Sequence, residues 1–312
     1  MFLQGEKVGK YEILRSLGSG GFGSVYLAKN TWLNTKVALK VPHKQSLELF
    51  KLLKEPRLQA ALNHPNIVRM ITAEKEKKVF FMVMEYVKGK TLEKVLEREK
   101  ILSNDKAIDF MKQIAYGVVH AHKNKIIHRD LRPSNILISE GGIIKITDFG
   151  TSAWLSNMAY ASTRIGSPPY MAPEQFQGKS SFSSDIYSMG CIFYEMLIGE
   201  PPIYDPDPFK ILEKAQKGEI KSPRSRNNRI HPKIDEIVMK CLAAKVSERY
   251  QSAFEVVKQI TELKGENTNK SEIEDILGRI KARERSHTRL CWNCRKPLPH
   301  KGKSCPHCGE SI

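Results

Sequence analysis

Ile127-His128-Arg129-Asp130-Leu131-Arg132-Pro133-Ser134-Asn135, followed by Asp148-Phe149-Gly150, decides how this chain is read. An Asp, an Asn five residues later and a second Asp thirteen residues beyond that form a specific chemical set. Asp130 is of a type that orients and deprotonates a hydroxyl. Asn135 and Asp148 are hard oxygen donors of the kind Mg²⁺ takes when it also holds phosphates. Between them, the runs Ile136-Leu137-Ile138 and Ile143-Ile144-Lys145-Ile146 flank Gly141-Gly142. That pattern predicts a β-hairpin carrying both metal donors on rigid backbone.

Upstream, Tyr11-Glu12-Ile13-Leu14 begins a strand that runs into Gly18-Ser19-Gly20-Gly21-Phe22-Gly23-Ser24-Val25, after which Tyr26-Leu27-Ala28 starts another. Glycines at this spacing let backbone approach phosphate closely, because no Cβ holds it away. A dinucleotide-binding fold shares part of the spacing but needs a helix next. Here a strand follows. Val37-Ala38-Leu39-Lys40 is then an alternating strand ending in a cation. HRDLxxxN with DFG, a GxGxxGxV run and this lysine together resemble the protein kinase family, in its eukaryotic-like (Hanks-type) Ser/Thr branch. The resemblance covers about residues 8–263.

The resemblance implies an α+β, two-lobed protein kinase fold over 1–264. A small β-rich lobe would span about 8–84 and a large helical lobe about 88–264. It implies ATP with Mg²⁺ or Mn²⁺, and protein substrates bearing Ser or Thr hydroxyls. The catalytic set would be Asp130, Lys40, Arg132, Glu55 and Asn135, with Asn135 and Asp148 on Mg²⁺. The nucleotide set would be Gly18, Ser19, Gly20, Gly21, Phe22, Gly23, Val25, Ala38, Lys40, Met84, Glu85, Val87 and Leu137. Met84 stands at the gatekeeper position, and the backbone of Glu85 and Val87 at the hinge would meet the adenine.

A helix from about Ser46 to Leu62 should carry the Glu that pairs with Lys40; Glu55 fits best and Glu48 is the alternative. Two residues depart from the family pattern there. Pro56 removes a helical hydrogen bond and predicts a kink or a late start. Gln59 stands where an apolar residue of the internal spine is usual. Arg132 stands where the Ser/Thr members carry Lys, a planar fork in place of a point charge.

Further on, Thr91–Arg98 and Ser103–Lys123 read as helices. In the second, Ile108, Met111, Ile114, Ala115, Val118 and Val119 form a core stripe. His120 and His122 read as structural or solvated. Residues 151–173 are a polar segment in which Ser156, Tyr160, Ser162 and Thr163 are candidate phosphorylation sites for Arg129 to pair. Asp185 is expected to bond the catalytic-loop backbone, and Glu174 to pair with Arg249. The basic stretch Lys221–Arg229 reads as a loop.

After a linker and basic helix over 265–288, Cys291-Trp292-Asn293-Cys294 and Cys305-Pro306-His307-Cys308 resemble a zinc ribbon over 289–312. Four thiolates at Cys291, Cys294, Cys305 and Cys308 suit tetrahedral Zn²⁺, which would supply the folding energy of so short a module. Disulfides or redox thiols are the alternative, with His300 and His307 as substitute ligands. The basic residues around the module suit a protein partner or autoregulation first and nucleic acid second. The chain has 312 residues and a net charge of +17, with 40% hydrophobic and 27% charged residues. This composition describes a globular protein with a basic surface. No run of about 18 apolar residues is present, so no membrane span is expected, and no signal-like stretch opens the chain. The expectation is a cytoplasmic location. Two rival readings remain: a pseudokinase scaffold in which the ribbon carries the function, and a small-molecule kinase. Intact Lys40, Asp130, Asn135 and Asp148 speak against the first. Pro168-Pro169-Tyr170-Met171-Ala172-Pro173-Glu174, a peptide-docking element by resemblance, speaks against the second.

Overall fold

A computed structural model describes residues 2–21, 23–43, 45, 52–149, 168–263 and 306. The chain divides after Lys264 into two units, and apart from Pro306 the described residues belong to the first. Among them no helix is long and apolar enough to cross a membrane. Phe22, Glu48, Gly150, the segment 151–167 and the four C-terminal cysteines lie outside the described residues.

Lys7–Val8 (β1), Tyr11–Gly20 (β2), Gly23–Asn30 (β3), Thr35–Pro42 (β4), Met70–Glu76 (β5) and Val79–Glu85 (β6) form an antiparallel sheet in the order β1-β2-β3-β4-β6-β5. The two-residue period of a strand divides the side chains of β4 between faces. Val37 and Leu39 pack with Tyr11, Ile13, Tyr26, Phe81 and Val83. Ala38 joins Met84 on the opposite face, where the register places the two side by side. Lys40 follows Ala38 on that same face.

The helix bearing Glu55 is Lys54–Ala60 (α1). Pro56 is its third residue, inside the first turn, where a backbone N–H has no intrahelical partner. Within α1 the proline therefore removes no helical bond; Leu52 is itself helical and Leu53 a turn, and residues 46–51, where the expected helix would begin, lie outside the described residues.

In the helical lobe, Leu92–Glu99 (α2) is capped by the Thr91 hydroxyl and Asn104–Lys123 (α3) by that of Ser103. The expected stripe of α3 is core. Phe182–Ile198 (α4) is buried on nearly every face. Pro208–Lys217 (α5), Pro223–Arg226 (α6), Pro232–Cys241 (α7) and Ala253–Leu263 (α8) complete the lobe; α3, α6 and α7 pack against α4, and α8 against α3 and α7. The basic stretch from Lys221 is not all loop: Pro223 opens a helical turn whose start is capped by Ser222 Oγ, which accepts from Ser225 N at 3.2 Å. Cys191 and Cys241 are buried free thiols. His120 stacks on His64 with ring centroids 5.1 Å apart.

Ile136–Ser139 (β8) and Ile144–Ile146 (β9) pair as the expected hairpin. Gly142, at φ +76°, takes the left-handed turn between them that a side chain would strain. Gly89–Thr91 (β7) adds a third strand that the sequence did not announce. Residues 62–68 also depart from a simple division into lobes. Leu62 and Ile67 pack in the helical core. Ile146 N donates to Asn66 O at 2.9 Å, Val68 N to Ile146 O at 2.8 Å, and Asn66 Nδ2 to Ile144 O at 2.9 Å. Within the span 8–84 expected for the sheet lobe, this piece is built into the other lobe.

Arg249 closes the base of the helical lobe. Its Nη1 and Nη2 lie 2.8 and 3.0 Å from the Glu174 carboxylate. Nε donates to Ala243 O at 2.7 Å, and the remaining N–H groups to Ser183 O and Ala244 O at 3.1 Å. All five guanidinium donors thereby have acceptors.

Candidate active site

The site lies where β4, α1, the β8–β9 hairpin and the loop before β8 converge. Lys40 Nζ lies 2.8 Å from Glu55 Oε1 and 2.9 Å from Asp148 Oδ1. One ammonium thus sits between two carboxylates in a largely dry place. Burial pushes the Lys40 ammonium down, but the charges of Asp148 and Glu55 outweigh it and hold its pKa above the ordinary lysine value. Burial raises the Glu55 carboxyl; Lys40 opposes that and Asp148 adds repulsion, and the net direction is up. Burial would also raise Asp148, yet Lys40 wins there and holds it below the usual aspartate value.

The loop from His128 to Asn135 is fixed from beneath by Asp185, in the first turn of α4. Its two oxygens accept from His128 N and Arg129 N, each at 2.9 Å, and His122 Nε2 lies 2.8 Å from Oδ2. Arg129 has φ +70° and Asp148 φ +64°, left-handed values that a non-glycine residue holds only under constraint. For Arg129 the constraint is Asp185 on its N–H and Gln175 Nε2, which donates to its carbonyl at 2.8 Å.

His128 Nε2 lies 2.9 Å from Thr147 O, and Asp130 N donates to His128 Nδ1 at 3.3 Å. This pair of bonds requires the imidazole tautomer that is protonated on Nε2. The His128 ring meets Phe149 edge-on at 4.6 Å. Asn135 Nδ2 donates to Asp130 O at 2.8 Å and to Asp130 Oδ2 at 3.1 Å, and Thr147 N donates to Asn135 O at 3.0 Å. The amide nitrogen of Asn135 is thus directed at Asp130, which leaves its amide oxygen as the group a metal would take. Burial raises the Asp130 carboxyl, against the pull of Arg132. A raised carboxyl is a stronger proton acceptor than a solvated one. Arg132 Nε lies 3.8 Å from Asp130 Oδ2, an ion-pair distance rather than a hydrogen bond.

The cleft beside this polar set is apolar. Ala38, Val68 and Met84 are buried in one cluster, with Leu17, Val25, Met70, Val87 and Leu137 packed against it. Val25, Ala38, Met84, Val87 and Leu137 were singled out from the sequence; Leu17, Val68 and Met70 were not. Leu17 had one available signal, its place directly before Gly18. Glu85 Oε1 accepts from Arg69 N at 2.8 Å and from Lys145 Nζ at 2.7 Å, which ties its side chain to β9 and the segment before β5. Gly18, Ser19, Gly20, Gly21 and Gly23 lie on the β2–β3 hairpin, where Ser19 Oγ and Ser24 Oγ are 3.0 Å apart. A cavity of about 540 Å³ in the helical lobe, lined by Tyr194, Ile203, Tyr204, Lys221 and Arg226 among others, shares no residue with this set. Chemistry rather than volume identifies the site.

Comparison with known proteins agrees with this geometry. The family model described as "protein kinase domain" matches residues 11–261. A probable serine/threonine-protein kinase of Clostridium acetobutylicum is 35% identical over 271 residues, covering 84% of this chain and 41% of the relative. The serine/threonine-protein kinase PrkC of Bacillus subtilis is 35% identical over 252 residues, 78% of this chain and 39% of its own length. The serine/threonine-protein kinase PknB of Mycolicibacterium smegmatis is 34% identical over 260 residues, 79% and 42% respectively. The chain therefore spans about two-fifths of the length of these curated relatives. With the polar set on Lys40, the apolar cleft and the family match in agreement over most of its length, this chain belongs to the protein kinase family.

Proposed function

We propose that this chain is a serine/threonine protein kinase, transferring the γ-phosphoryl group of ATP to protein hydroxyls with Mg²⁺ or Mn²⁺. The observation that carries the reading is Lys40 Nζ held between Glu55 at 2.8 Å and Asp148 at 2.9 Å. The names of the similar proteins support the choice of Ser/Thr substrates. Mg·ATP, when bound, supplies the transferable phosphoryl group and the cation that neutralises its charge. The donor set fits that cation: Asn135 and Asp148 offer oxygen only, as a hard ion prefers. Lys40 orients the α- and β-phosphates, and Glu55 holds Lys40 in place. Asp130 accepts the proton of the substrate hydroxyl and aligns it for in-line attack. Arg132, beside Asp130, faces the negative charge of the phosphoryl group. The apolar cluster around Ala38, Met84 and Leu137 takes the adenine and excludes water from it.

The activation segment, 151–173, supplies hydroxyls for autophosphorylation, with Arg129 as the cation that would pair them. The C-terminal residues 289–312 hold a structural Zn²⁺ on Cys291, Cys294, Cys305 and Cys308 and contact a protein partner or regulate the kinase, nucleic acid being the second choice. The relevant test is transfer of labelled γ-phosphate by the purified chain to itself and to a generic basic protein. Asp148→Ala is expected to abolish label on Ser and Thr. Retained ATP binding with no label in the wild type would overturn the kinase reading in favour of a scaffold. Elemental analysis of the same preparation is expected to find one zinc per chain, lost when Cys291 and Cys294 are replaced by Ser; a metal-free wild type removes the ribbon.

A further inference from the structure

The end of β4 runs directly under the tip of the glycine-rich hairpin. Gly23 pairs with Pro42, and a Cβ on Gly23 would lie 2.4 Å from Val41 O. Pro42 has no N–H with which to continue the ladder, and the chain turns away after it. The next residue, His43, reaches back across the hairpin. Its Nε2 lies 2.9 Å from the carbonyl oxygen of Gly20, the residue opposite Gly23 in the hairpin register. A carbonyl only accepts, so Nε2 carries the proton, as it does in the cationic ring and in one neutral tautomer. Among the described residues, a Cβ added at Gly18, Gly20 or Gly21 would meet nothing within 4 Å.

The segment that carries His43 is itself anchored. Gln45 N donates to His43 O at 3.1 Å. The Gln45 amide donates to Pro42 O at 2.6 Å and Phe80 O at 3.1 Å, and accepts from Phe80 N at 2.8 Å. Both polar groups of the Phe80 backbone, on β6, are thereby used to fix the base from which His43 extends. From this geometry we propose that His43 is a positioning residue that latches the glycine-rich hairpin down over the nucleotide phosphates, with Gln45 as its anchor. The proposal rests on the reading of the hairpin as the phosphate cover.

The test is steady-state kinetics and equilibrium ATP binding of the full chain for wild type, His43→Ala, His43→Gln, Gln45→Ala and the His43/Gln45 double alanine variant. A net hydrogen bond of ordinary strength predicts a rise in KM and Kd for ATP of roughly 2- to 10-fold in His43→Ala. kcat should be unchanged or higher, because a lifted hairpin releases nucleotide faster. His43→Gln keeps an N–H donor and is expected to recover most of the loss. Gln45→Ala should resemble His43→Ala, and the double variant should be no worse than either, since both act through one contact. An unchanged KM in His43→Ala beside an active wild type overturns the latch alone, as does failure of His43→Gln to rescue. A wild type that binds no ATP overturns the nucleotide reading and the latch with it.

Discussion

Gln59 is fully buried one turn after Glu55, and its two polar atoms fare differently. Nε2 donates to Val68 O at 3.1 Å and lies 3.7 Å from Met84 Sδ, while Oε1 has no partner among the described residues. Gln59→Glu would keep the shape, remove the donor and set a carboxylate against the Val68 carbonyl. The variant is expected to lose on the order of 1–3 kcal/mol at neutral pH. A buried carboxyl without a cation has a raised pKa, so the loss should shrink as pH falls and the group protonates. Urea unfolding at pH 7 and pH 5 reads both effects, and equal losses at the two values would count against the account. At this scale the sequence was most legible where chemistry dictates residue type: Lys40, Asp130, Asn135 and Asp148 each carry a group with few substitutes. Leu17, Val68 and Met70 were illegible for the opposite reason. An apolar side chain states that it is buried, not against what, until Ala38 and Met84 are set opposite each other by strand register. His43 is a similar case, since its meaning depends on a turn that only the Pro42–Gln45 network defines.

At the scale of elements, the Glu174–Arg249 pair joins the turn before α4 to the segment before α8. Burial would raise the Glu174 carboxyl, but the hydrogen bonds and charge of Arg249, with the Ser184 hydroxyl at 2.7 Å, hold it below the usual glutamate value. A depressed carboxyl contributes stability that is present above its unfolded pKa and lost as pH falls through the folded one. Arg249→Lys keeps the charge but has three donors for five acceptors. It is expected to cost part of the roughly 3–5 kcal/mol seen when a buried pair is broken, and to move acid unfolding to higher pH. Circular dichroism across an acid titration would show this, and coincident wild-type and Arg249→Lys curves would refute it. Elements with their own punctuation were readable, as the cap Ser103 and the Gly141-Gly142 turn illustrate. β7 was not, being three residues whose only reason to be a strand is the edge of β8. The helical turn at Pro223 was hidden by its basic composition, although Ser222 and Pro223 are the cap and first residue of a helix start.

For the whole molecule, the two-lobed arrangement followed from the order of motifs, because glycine run, lysine, hinge and catalytic loop leave little freedom in placing sheet before helices. Order along the chain could not reveal that residues 62–68 cross early into the helical lobe, since that crossing is made by backbone bonds of Asn66 and Val68 to Ile146. The net charge of +17 bears on partners rather than on this architecture.

The early crossing has a consequence for cutting the protein in two. The polypeptide passes between the lobes at residues 62–69 as well as at the hinge after Glu85. A nick in the turn at Lys77, between β5 and β6, would leave an amino-terminal piece holding both most of the sheet and a strip of the helical core. The two pieces would then share seams in each lobe: β6 between β4 and β5 above, Asn66 and Val68 against β9 below. Such seams favour spontaneous reassembly, and a split version of this chain is better suited to a conditional reporter than to a lasting separation of its two pieces.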